Sequence, residues 1–148
     1  MSDSGTLATI QAEIITALTS PEIQTGMPVI PAMSAEDLIN KQTLRAPAIG
    51  VAYLGTDKTI QYAVGTRRLR ATTKWRLFIY VTNLRGSQAA RDDVYSILES
   101  ARDRLHFYRS SISPKAMYLF ENENVPDSFA EGRLVATADF FLDVILGN

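Results

Sequence analysis

Apolar positions recur along this chain at two spacings. Leu7, Ile10, Ile14 and Leu18 fall three or four apart, which places them on one side of a helix, so residues 5–19 are predicted helical with Pro21 as the stop. Residues 20–33 hold three of the six prolines and read as an extended connection. "SAED" at 34–37 then has the form of a capping box, with Ser34 at the cap and Asp37 reaching back, and opens a short helix that ends by Gln42. Ala48 to Leu54 is an apolar run of strand length. "GTD" at 55–57 reads as a turn and Thr59 to Val64 as the returning strand, ended by Gly65.

The spacing of two is clearest from Lys74 to Thr82. Trp75, Leu77, Ile79 and Val81 point one way, and Arg76, Phe78, Tyr80 and Thr82 the other. The second set is too aromatic for open solvent and calls for a cover, either another layer or another molecule. A helix follows at about 87–106. Ser87 is its predicted N-cap, Asp92 and Asp93 lie in its early turns where the dipole favours acids, and Ala90, Val94, Ile97, Leu98, Ala101 and Leu105 form its buried stripe. Ala116 to Phe120 reads as a strand and residues 121–132 as a long polar loop. Arg133 to Leu146 alternates again, with Leu134, Ala136, Ala138, Phe140, Leu142 and Val144 on one side, and is expected at the edge of the sheet. The order α, α, β, β, β, α, β, β predicts a single α+β domain over 1–148, a mainly antiparallel sheet packed by the long helix and the N-terminal helix.

Composition agrees with a folded domain: 46% of residues are hydrophobic and 21% charged. There is no cysteine, which excludes disulfides and thiolate chemistry. The first residues lack the basic and apolar regions of a signal peptide, and the longest uncharged apolar stretch, residues 46–56, is shorter than the roughly 20 residues of a membrane helix. No membrane partner is therefore expected.

The net charge of −1 conceals an asymmetry. Residues 67–76 hold Arg67, Arg68, Arg70, Lys74 and Arg76 with no acid, whereas Glu121 to Asp143 holds six acids against Arg133 alone. Three readings of the basic run stay open: solvated strand charges, a contact with another protein or subunit, and a nucleic-acid contact. Trp75, Phe78 and Tyr80 among bases would suit a stacking platform, but Trp75 falls by alternation on the core side.

Catalytic chemistry finds no foothold. His106, the single histidine, has neither an orienting acid nor a nucleophile assigned to it by the sequence and reads as a partly buried residue near a helix C-terminus. Asp139 and Asp143 share a strand face about 13 Å apart, too far for a shared proton or metal. No phosphate-binding glycine loop or calcium loop is present. No catalytic, cofactor or metal site is predicted.

Four stretches together resemble the tail terminator (tail completion) proteins of Mu-like phages and prophages: "LATIQAEIITAL", "RAPAIGVAYLG", "TTKWRLFIYVTNLRG" and "ARDDVYSILESARDRL". The likeness rests on Pro47, Ala48, Tyr53 and Gly55 in one strand, on Trp75, Asn83 and Arg85 in the next, and on Tyr95, Ile97 and Leu98 in the helix. It spans roughly residues 7–106. Such proteins commonly carry a glycine after the long helix, where this chain has "LHFYRSS".

The resemblance implies a virion structural protein, assembled in the host cytoplasm, that forms a hexameric ring on the head-proximal end of the tail tube. The implied partners are further copies of itself, the tube protein, head–tail connector proteins and, in passing, DNA in the lumen. On this reading Arg67, Arg68, Arg70, Lys74, Arg76, Phe78 and Tyr80 face a neighbour, with Asp139 and Asp143 as acidic counterparts. A different neck or baseplate protein, or a nucleic-acid-binding module using residues 67–76, are the alternatives.

Overall fold

The computed structural model describes residues 3–24, 26–41, 47–61, 69–82, 87–110, 118–126 and 133–146. Helix α1 spans Asp3–Thr19, α2 Ala35–Lys41 and α3 Ser87–Leu105. The strands are β1 Val29–Pro31, β2 Ala48–Gln61, β3 Leu69–Thr82, β4 Leu119–Asn124 and β5 Arg133–Leu146. They form one sheet in the order β1-β2-β3-β5-β4. All pairs are antiparallel except β1–β2, whose parallel register (Ile30 beside Gly50) requires the chain to cross over the sheet. Helix α2 lies in that crossover. The α+β class expected from the sequence is the class observed.

Alternation in β3 sorts its side chains onto two faces with different covers. Trp75, Leu77, Ile79 and Val81 meet Ile10, Ile14 and Leu18 of α1 and Val94, Ile97 and Leu98 of α3 in the main core. Phe78 and Tyr80, on the other face, are buried against Leu38 of α2 with Ala32, Ala48 and Ala52. The aromatic face therefore has its second layer inside the chain. The predicted capping box holds α2 in place: Asp37 N–H donates to Ser34 Oγ at 3.1 Å, and Met33 N–H donates to Asp37 Oδ2 at 2.8 Å.

Gly50 is what lets this second layer sit so close. A Cβ there would stand 2.7 Å from the Ala32 Cβ and 3.3 Å from Leu38 Cδ1, inside the contact distance of real side chains. On the opposite face Arg104 ties the two long helices together. Its guanidinium donates to the Leu18 carbonyl at 3.3 Å and to the Pro21 carbonyl, meeting acceptors left open where α1 ends.

Four expectations are corrected. The predicted hairpin at 55–57 does not form, because β2 runs on through it and absorbs the irregular residues as breaks in register at Tyr53/Gly55 and Asp57/Ile60. Gly55, at φ 123°, supplies the conformation such a bulge needs. The proline-rich connection contains β1. Part of the polar loop is strand, since β4 continues to Asn124. β5 is not an edge but lies between β3 and β4, pairing with β3 along its full length. The expected return strand to Val64 and the start of the strand at Ala116 fall partly outside the described residues.

Asp92 and Asp93 also sit one turn later than a dipole role requires. The first turn of α3 has no acid, and Asp92 Oδ1 instead accepts from Gln88 Nε2 at 2.9 Å.

Candidate functional surface

Beyond α2, the second face of the sheet carries a ladder of charged and polar pairs. The β3–β5 register puts Arg76 opposite Asp139 and Thr72 opposite Asp143. Arg76 Nε donates to Asp139 Oδ1 at 2.7 Å and Nη2 to Oδ2 at 3.0 Å, a two-pronged pairing that matches guanidinium to carboxylate. The Asp139 side chain is 13% exposed and that of Arg76 36%. The hydrogen bonds to Asp139 raise the Arg76 pKa above its already high value, and burial works against them. Thr72 Oγ1 donates to Asp143 Oδ1 at 2.6 Å, and Lys74 Nζ lies 3.4 Å from Glu121 Oε1 on β4.

The residues assigned to an interface therefore separate. Arg76 and Asp139, expected to meet between subunits, meet within one sheet. Phe78 and Tyr80, expected to face a neighbour, are instead buried under α2 of the same chain. Lys74 is paired with Glu121, an acid the sequence did not nominate. Asp143 is exposed. Arg70 occupies a β3 position opposite Ile60 and Ile145, and Arg67 and Arg68 lie outside the described residues.

His106 takes the structural role read for it. Its Nδ1 accepts from the Phe120 N–H at 3.1 Å, fixing α3's exit to β4. Among the described residues no group of three or more His, Asp or Glu could hold a metal ion. No helix among them is long and apolar enough to cross a membrane.

The sequence missed two exposed features. Phe107, immediately after α3, has φ 67° and is 60% exposed. On the far side of the molecule Gln11, Pro31, Ala32, Met33, Ala52 and Tyr53 line an open groove of about 360 Å³. The run of aromatics at Phe107 and Tyr108 was a visible signal for the first. The second required β1 to be placed.

No protein-family model matches the chain. No curated protein matches it either. Its fold is similar to that of a chain in the virion of a native gene transfer agent particle. The TM-score is 0.59 at 13% identity, over 91% of this chain and 93% of that one. At that identity the likeness is one of fold.

Proposed function

We propose that this chain is a virion structural protein of a phage-like particle, acting through assembly and not catalysis. The observation that carries the reading is the fold it shares, over nearly the full length of both chains, with a component of a gene transfer agent virion. Within that class we propose a tail terminator: a ring, six-fold by resemblance, that caps the head-proximal end of the tail tube and offers a surface to the connector. The four motif stretches support this assignment. Arg70, near the start of β3 opposite Ile60 and Ile145, belongs to the basic segment that on this reading would meet the tube or a neighbouring subunit.

A nucleic-acid-binding module has less support, because Lys74 and Arg76 are engaged by Glu121 and Asp139 of the same chain. The test is negative-stain microscopy of the purified protein, alone and with polymerising tube protein. Hollow rings, and tubes of arrested length capped at one end, are the expected result. Tubes whose length is unchanged by the protein would overturn the terminator assignment.

A further inference from the structure

Phe107 combines two unfavourable features. A bulky residue occupies left-handed backbone at φ 67°, where glycine is the usual choice, and its ring is left largely in solvent. The surrounding chain holds it there. Phe107 N–H donates to the Tyr118 carbonyl at 2.8 Å, Tyr118 N–H to the Tyr108 carbonyl at 3.0 Å, and Tyr108 N–H to the Leu105 carbonyl at 2.9 Å. The Phe107 ring rests on His106, 3.9 Å between centroids. A fixed, protruding aromatic ring is the result.

The groove lies at the other edge of the sheet. Phe107 is bonded to the residue that precedes β4, while the groove sits where β1 stops, and β4 and β1 are the two outermost strands. Four strand spacings, about 19 Å, separate those edges, so ring and groove cannot meet within one chain. Apart from Gln11 the groove wall is mostly apolar, with Met33 87% and Tyr53 39% exposed.

The charges around the two features differ in balance. Residues 102–109 contain three arginines against one aspartate, Arg102 being paired with Glu123 of β4, and residues 31–38 contain Glu36 and Asp37 with no base. Both of those acids are in the first turn of α2, beside Met33.

We propose that Phe107 seats in the groove lined by Met33 and Tyr53 on a second copy of this chain. Two different patches meet in such a contact, so repeating it propagates in one direction and closes into a ring when the rotation allows. The difference in charge balance between ring and groove fixes which edge meets which. The proposal rests on the ring reading above and names the surfaces that would join the subunits.

The chain has no cysteine, so a mixture of Met33→Cys and Phe107→Cys proteins tests the contact directly. The expected product under mild oxidation is the mixed disulfide dimer, in several-fold excess over either like pair. Phe107→Gly supplies the second measurement. Glycine suits φ 67°, so the variant should unfold at an unchanged or higher urea concentration while its self-association weakens at least tenfold by sedimentation. Mixed disulfides with closed rings of unsubstituted protein uphold both readings. Mixed disulfides in open chains uphold the contact and overturn the closed ring. Rings without mixed disulfides, or rings that persist in Phe107→Gly, overturn the contact alone. Unsubstituted protein that stays monomeric, with no mixed disulfide from the pair of Cys variants, also overturns the contact.

Discussion

Asp139 grips Arg76 with both carboxylate oxygens across the centre of the sheet, at 2.7 and 3.0 Å. Asp139 is the less exposed partner and has the more to lose when left alone. Asp139→Ala is expected to destabilise the fold by about 1–2 kcal/mol. Solvent at Arg76 keeps the effect below that of a fully buried pair. A double-mutant cycle with Arg76→Met, followed by urea unfolding, should return a coupling of about 1 kcal/mol. A coupling of zero would show that the pair is only an incident of register.

Gly50 should not tolerate a side chain. Gly50→Ala places a methyl against Ala32 and is expected to cost about 1–3 kcal/mol, the usual range for overpacking. Adding Ala32→Gly should restore part of that loss. A Gly50→Ala variant as stable as the parent would mean that α2 and β1 shift without resistance.

Tyr118 ties β4's entry to α1: its phenol donates to Glu13 Oε1 at 2.8 Å. Burial first, and then this bond to a carboxylate, push its pKa far above the ordinary tyrosine value near 10. The folded value is the higher one, so the stabilisation is complete below about pH 10 and is lost as the pH rises further. Thermal unfolding across pH 8–11 should show that decline. Tyr118→Phe should flatten it and lower stability by about 1 kcal/mol at neutral pH. An identical alkaline decline in the Phe variant would assign it to other groups.

Reversing charge in the basic segment tests the surface attributed to capping. Arg68→Glu with Arg70→Glu is expected to abolish the arrest of tube growth, while circular dichroism and the unfolding midpoint stay close to those of the parent. Tubes capped normally by this variant would remove the segment from the capping surface.

The two-faced character of β3 was legible because its faces differ in kind. Trp75, Leu77 and Ile79 face the larger helices, and Phe78 and Tyr80, too aromatic for water, required the cover that α2 provides. Helices α1 and α3 were legible for the same reason, each having one apolar stripe. The hairpin at 55–57 was misread because Gly55 serves a bulge as readily as a turn. The continuation of β4 beyond Phe120 escaped because "ENEN" lacks an apolar alternation, all four of its residues being exposed. Partners such as Arg76 and Asp139 are 63 residues apart in sequence. Only the register between β3 and β5 brings them together, and register is a property of the assembled sheet. Phe107 could be read as an aromatic residue after a helix, but not as one held at positive φ.

The place of β5 has a consequence for how the protein is made. Trp75 lies beside Phe140, so the middle of the sheet is joined across more than sixty residues. While a ribosome is still adding residues 133–146, β3 has β2 on one side and an unpaired edge on the other. The main core remains open over its centre during that interval. Folding should therefore be late in synthesis and slow for a domain of this size, with many distant pairings made at once. Until β5 arrives, the nascent chain would expose an unpaired, largely apolar strand edge at β3.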